Sequence, residues 1–348
     1  MANATLQAIR TKVRRLTRSI SESQLPTADI DEYVNTFVLY DFPEHLRLFN
    51  LKRTFSFYTE PYVDTYSTNT TVATDPLYDF KNKYISVHEP VYIAGYRAWF
   101  CEDRSEFFNT YPLINSIQSI GATGDGVTTA FTGTIPSMVG ASTGNQAVLL
   151  RNNILFSSID ATGNGLALID YPVSNTTGAL GQPGVPQTLP SPFGQIDYTT
   201  GVYTVNFAAA PAAGQAINSQ TVITQPTLPQ SILFFNSSFT VRPVPDQPYK
   251  IDMEVYVRPT ELLNAAEEPF LQEWWQYIAY GAARKVFQDR MDMESLMMIE
   301  PEYKKQENLI LRRTIVQQTS QRTATIYTDT YNASGAYGPG WFSGGGSF

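Results

Sequence analysis

Leu6, Ile9, Val13, Leu16 and Ile20 recur at spacings of three and four, which is one apolar stripe along an α-helix. Its other faces carry Arg10, Lys12, Arg14, Arg15 and Arg18. Leu25 and Pro26 end it. Asp29, with Glu32 three residues on, reads as the cap of a second helix whose apolar face is Ile30, Tyr33, Val34, Phe37 and Val38. Asp41-Phe42-Pro43-Glu44 turns the chain into a short helix through Leu46 and Phe49. From Arg53 to Tyr66 alternation takes over, with Phe55, Phe57 and Tyr58, and predicts a strand or an extended arm. Between 67 and 115 the pattern weakens: Val87, Val91, Tyr92 and Ile93 predict strand, and Asp103 to Tyr111 a short helix.

From Ser116 to Gln225 charge nearly vanishes, leaving Asp125, Arg151, Asp160, Asp170 and Asp197. Gly124-Asp125-Gly126 marks a tight turn, and Ala147–Leu150 and Ile154–Ser157 read as strands. Gln195–Tyr198 and Val202–Phe207, joined through Thr199-Thr200-Gly201, predict a β-hairpin. Short strands with Gly and Pro turns predict a small β-sandwich, with a Pro-rich loop from Gly181 to Pro192.

Beyond it, Ile251, Met253, Val255 and Val257 alternate along one strand. Phe270, Trp274, Ile278, Ala282 and Val286 recur every four residues, and Gly281-Ala282-Ala283 permits close helix packing. Pro301 opens a further helix containing Tyr303, Leu309, Ile310 and Ile315. The expected class is therefore α+β. A helical bundle with a small antiparallel sheet (residues 1–115 and 226–321) hosts an inserted all-β sandwich (116–225). The polar, aromatic and Gly-rich tail, 322–348, makes no core of its own and is expected to be flexible or ordered by a partner.

Composition narrows the functions. At 348 residues, 43% hydrophobic and 16% charged, the chain is globular and long enough for two domains. A net charge of −8 argues against a protein that grips nucleic acid over a large surface, yet suits an acidic wall past which DNA slides. Cys101 is the one cysteine, and His45 and His88 the two histidines, so neither an intramolecular disulfide nor a Cys- or His-based zinc site is expected. No secretory signal peptide or membrane-spanning run is read from the sequence, and assembly in a cytoplasm is expected.

Candidate chemistry is sparse. Gly140-Ala141-Ser142-Thr143-Gly144 fits the G-x-S-x-G elbow, which needs a strand-turn-helix setting and a later histidine; here strand follows, and both histidines precede it. Asp160-Ala161-Thr162-Gly163-Asn164-Gly165 looks like a calcium loop but has Tyr171 where the bidentate glutamate belongs. There is no phosphate-binding Walker loop, and no cofactor is implied. The acidic residues of 289–294 lie among Arg284, Lys285 and Arg290 and read as surface pairs. Of Trp274 and Trp275, one belongs to a core and the other to a rim or subunit interface. The basic helix is either a solvated face or a dock for an acidic partner. Arg10, Arg14, Arg15, Arg18, Trp274, Trp275 and Trp341 are the candidate partner-docking or inter-subunit residues.

LQAIRTKVRRLTRSISESQLPTADIDEYVNTFVLYDFPEHLRLFNL, and later FTVRPVPDQPYKIDMEVYVRPTELL with EWWQYIAYGAARKVFQDRMDMES, resemble the head-to-tail adaptor (neck or connector) proteins of tailed bacteriophages. GDGVTTAFTGTIP and GQIDYTTGVYTVNFAAAPAAGQAI are similar to the immunoglobulin-like modules that decorate phage virions. The resemblance implies no enzymatic activity and no metal. It implies a virion protein at the head–tail junction, a homo-oligomeric ring, usually twelvefold, that touches portal and tail or nozzle proteins. DNA would be passing cargo, and no membrane would be involved. The alternative is a virion protein whose β-sandwich binds host surface glycans, with Tyr171, Phe193 and Tyr203 as candidate contacts.

Overall fold

A computed structural model describes residues 4–19, 21–46, 49–138 and 147–319. Two helices open the chain, α1 (Leu6–Leu16) and α2 (Thr27–Thr36). A π-helical turn, Phe37–Asp41, carries α2 into the single turn α3 (Phe42–His45). Next come β1 (Lys52–Tyr58), β2 (Thr65–Ser67), the one-turn α4 (Phe80–Lys83), β3 (Tyr84–Ile93), β4 (Tyr96–Cys101) and α5 (Arg104–Thr110). The charge-poor stretch supplies β5 (Ser116–Thr123), β6 (Ala130–Thr134), β7 (Val148–Leu149), β8 (Leu155–Ile159) and β9 (Gly165–Pro172). It continues with β10 (Thr177–Gly181), β11 (Gly194–Asp197), β12 (Val202–Asn206), β13 (Ala216–Thr221) and β14 (Ile223–Thr224). The chain closes with β15 (Ser231–Phe235), β16 (Ser238–Arg242), β17 (Lys250–Val257), α6 (Trp275–Asp289) and α7 (Met293–Thr319).

The chain divides into two compact units: Met1–Lys52 with Val257–Phe348, and Arg53–Tyr256. In the first, α6 packs against α1, α2 and α7. Leu6, Ile9 and Val13 are fully buried, as their spacing requires. The free N–H groups at the start of α1 are satisfied from the far end of the chain. Leu6 N donates to Glu267 O at 2.8 Å and Gln7 N to Ala265 O at 3.0 Å, while Ala8 N uses the Thr5 hydroxyl. Asn35, buried on α2, donates from Nδ2 to Leu262 O at 3.0 Å and accepts from Leu262 N at 2.9 Å.

Two local expectations fail in this unit. Helix α2 begins at Thr27 after Pro26 and has no side-chain cap; Asp29 lies in its first turn. Helix α7 begins at Met293, where Asp292 Oδ1 accepts from Ser295 N at 3.0 Å, and it runs through Pro301. Proline forfeits one backbone hydrogen bond, but a helix continuous on both sides absorbs that loss.

The expected helical-bundle host with a small sheet is overturned: strand makes up 32% and helix 29%, and the second unit holds two large sheets. One is seven-stranded, in the order β1-β17-β3-β4-β15-β16-β2, with β4 and β15 parallel. Phe55, Phe57, Val91, Ile232, Phe239 and Met253 form its core. The stretch read as a possible arm is thus tied into the sheet at both edges. The expected sandwich is likewise a single curled, near-barrel sheet of eight strands, β5-β13-β8-β9-β10-β11-β12-β6. Its core includes Phe156, Leu180, Ile196, Tyr198 and Tyr203. The predicted hairpin is there: β11 pairs antiparallel with β12, and Gly201 supplies the positive φ of +70° at the turn.

Close packing at Gly281 is severe. A Cβ there would lie 2.3 Å from the Phe37 ring, itself buried in the π-helical turn. Gly281→Ala gains about 1 kcal/mol of helix propensity. Overpacking a buried aromatic costs about 1–3 kcal/mol. The expected result is a net loss of up to about 2 kcal/mol in urea unfolding, with Phe37→Leu added to Gly281→Ala recovering part of it. Full stability in Gly281→Ala would remove Phe37 as the constraint.

Candidate interaction surfaces

The arginines of α1 divide by face. Arg10 grips Asp31 of α2 bidentately, Nε to Oδ1 and Nη2 to Oδ2, each at 2.6 Å. Arg14 donates to the Thr27 hydroxyl at 2.8 Å and to Leu25 O at 3.4 Å, and lies 3.9 Å from Glu22. These two hold α1 to the start of α2. Arg15 and Arg18 are exposed, and Arg18 stands at φ +54° where α1 ends. Asp292 lies within electrostatic range of Arg18. Its carboxyl sits below the usual range chiefly because Ser295 hydrogen-bonds to it, with Arg18 and Arg290 adding to the effect.

Trp274 and Trp275, at the junction of a 3-10 turn and α6, are both half-buried. Arg313 of α7 lies over the Trp274 ring, 5.4 Å from its centroid, and pairs with Glu273. Trp341 lies outside the described residues. The turn between α6 and α7 carries a feature that helical spacing does not reveal: Met291, Met293, Met297 and Met298 are all exposed, Met291 by 85%. A run of four methionines in eight positions was the available signal. Arg290 secures this corner, donating to Ser19 Oγ at 2.9 Å and Gln24 O at 3.1 Å.

A charged groove runs along α6 and α7, lined by Asp41, His45, Arg284, Lys285, Glu300 and Glu307. Lys285 Nζ is 2.6 Å from Asp41, Arg284 is 3.4 Å from Glu300, and His45 contacts Glu307. Lys285 and Arg284 each face an acid and the His45 ring is engaged by Glu307, so the groove is a seam of paired side chains. Beneath it the Tyr277 and Tyr303 hydroxyls meet at 2.9 Å, and burial pushes both phenols up. Tyr33, whose hydroxyl donates to Asp289 at 2.6 Å, is pushed up to about 12, chiefly by that bond.

In the eight-stranded sheet the one buried carboxylate is structural. Asp170 accepts from Asn152 N at 2.7 Å, Ile154 N at 3.0 Å and the Tyr198 hydroxyl at 2.9 Å. Asp160 folds its own turn, accepting from Thr162 and Asn164 through backbone and side chain, which satisfies the loop that looked like a calcium site. No cluster of acids, histidines or cysteines able to hold a metal occurs among the described residues. The Gly140–Gly144 pentapeptide lies outside them. Of the glycan candidates, Tyr203 is 2% exposed and packed on Phe156, Tyr171 donates its hydroxyl to Gln182 O, and Phe193 is half-buried against the core.

No helix among the described residues is long and apolar enough to cross a membrane. No protein-family model matches the chain, and no curated protein matches it.

Proposed function

We propose that the chain is a structural virion protein, the subunit of a ring adaptor that joins portal to tail and forms part of the DNA passage. The observation that supports this most is how the resembling stretches fold. The first stretch, and the second from Val257 onward, pack as one helical unit although some 200 residues of β structure separate them. A discontinuous helical body interrupted by a β-rich unit suits a ring subunit whose helices do the docking. The acidic chain would not hold passing DNA through its phosphates. In this reading the ring is homo-oligomeric, twelvefold as the resemblance implies, and is assembled in the host cytoplasm. The glycan-binding alternative for the eight-stranded sheet has weaker support, since Tyr203 belongs to its core.

Electron microscopy of the purified protein mixed with portal tests the proposal; annular particles are expected. A chain that stays monomeric and never co-assembles with portal sinks it. The exposed arginines give a finer expectation. Arg15→Glu/Arg18→Glu should weaken portal association about tenfold at low salt, mainly through the on-rate, while leaving unfolding unchanged. Wild-type association by the double variant would remove these two residues from the contact.

A further inference from the structure

One cleft in the second unit is unused by the ring reading. It measures about 670 Å³, within the range of small-ligand sites, and lies beside β4 and the approach to β15. Tyr96, Trp99 and Tyr111 line it together with Arg97, Gln230 and Ser231; Tyr96 registers with Ile93 on one face of the sheet and Trp99 with Ser231 on the other. Tyr96 is 71% exposed beside the tight Ala94-Gly95 turn, whose φ values of +50° and +83° make no demand for an aromatic neighbour.

The aromatic walls are fixed from behind. Trp99 stacks on buried Phe107 with centroids 5.9 Å apart, and Phe107 meets Tyr111 at 5.4 Å. The Tyr111 hydroxyl is hydrogen-bonded to Ser231 Oγ at 2.7 Å, which sets the ring's direction. The floor is continuous sheet: Ser231 registers with Trp99 across the parallel pair, and Trp99 N donates to Gln230 O at 2.9 Å. At the rim Arg97 lies 3.1 Å from Glu89. The Trp99 and Tyr111 rings therefore stand in place before any ligand arrives, which lowers the ordering cost of binding.

We infer that this cleft is a binding site for a neutral saccharide. Flat aromatic faces take the C–H faces of sugar rings, and sugar hydroxyls each donate and accept. Gln230 and the Arg97–Glu89 pair, both exposed, offer donors and acceptors, and the Tyr111 hydroxyl keeps bonding capacity beside its bond to buried Ser231. A nucleic acid or phosphate ligand fits poorly, because the cleft's one cation, Arg97, is already neutralised by Glu89 and the chain is acidic. A proline-rich peptide would use the rings but presents carbonyl acceptors alone to this mixed set. The inference stands apart from the ring reading, since it concerns a monomer's surface.

Full-length protein titrated with maltohexaose, cellohexaose and chitohexaose, by saturation-transfer NMR and calorimetry, tests it. Binding of at least one in the millimolar range or tighter is expected. Tyr96→Ala and Gln230→Ala, both at exposed positions, should each weaken it about tenfold without moving the urea midpoint. Binding of none of the three, or binding that neither substitution weakens, overturns the inference. So does a proline-rich decapeptide or a single-stranded oligothymidylate that binds the cleft in their place.

Discussion

Asp170→Ala is expected to lower the stability of the β-rich unit by about 3–5 kcal/mol, the loss typical of breaking a buried polar network. Three donors converge on this carboxylate: two backbone N–H groups, of Asn152 and Ile154, and the hydroxyl of the buried Tyr198. Alanine leaves all three without a partner in a site water does not reach. Tyr198→Phe removes only one donor and should cost about 1 kcal/mol. Gly178→Ala should act through the same contact, because a Cβ there would lie 2.1 Å from the Tyr198 hydroxyl and push it off the carboxylate. Burial raises the Asp170 carboxyl above its ordinary value, against the three hydrogen bonds that lower it. A raised folded value means that the proton's contribution is complete below the unfolded carboxyl range and is lost as pH rises through the folded value. Relative to Asp170→Asn, which does not titrate, wild type should therefore lose stability on going from acid toward neutral pH. Urea midpoints across that interval check the slope; a flat or opposite one refutes the assignment.

The second large effect is expected at Asn35. Asn35→Ala strips partners from both the N–H and the C=O of Leu262, all of them buried, and should cost about 2–4 kcal/mol. This pair clips the segment leading into α6 onto α2, next to the Ala265 and Glu267 carbonyls that satisfy the start of α1. Asn35→Asp keeps the acceptor for Leu262 N–H but sets a carboxylate against Leu262 C=O. Its loss should shrink in acid, where a protonated carboxyl can donate again. Thermal unfolding of the three proteins at two pH values separates these outcomes, and a neutral Asn35→Ala would show that the clip adds nothing.

Local periodicity made much of the helical unit legible. Leu6, Ile9 and Val13 lie buried where their spacing puts them, and Gly281-Ala282-Ala283 signalled the contact with Phe37 without naming it. The 195–207 hairpin was equally plain, because its partners are adjacent in sequence and its turn carries the required glycine. The seven-stranded sheet was not. It joins β1 to β17 and β4 to β15, pairings across some 130 to 200 residues that no local window contains. Proline signals misled at both helices they flank or enter: Pro26 sits at the true start of α2, whereas Pro301 sits inside α7. The candidate surfaces were harder still, since the basic stripe does not disclose that Arg10 and Arg14 face Asp31 and Thr27 while Arg15 and Arg18 face solvent. The Tyr96–Trp99–Tyr111 cleft needs β4, α5 and the approach to β15 side by side, which only the folded chain supplies.

That β1 lies beside β17 bears on the order in which the chain acquires structure. Between the two halves of the helical unit run some 200 residues, and closing so long a flexible loop costs about 5 kcal/mol of chain entropy. With β1 and β17 paired, that loop is already pinched shut at its base, Thr59 N reaching Tyr249 O at 2.9 Å. The halves then behave as if joined by a short tether. Folding of the helical unit is accordingly expected to follow β1–β17 pairing, and stopped-flow refolding of a variant that weakens that pair would show both units slowed together.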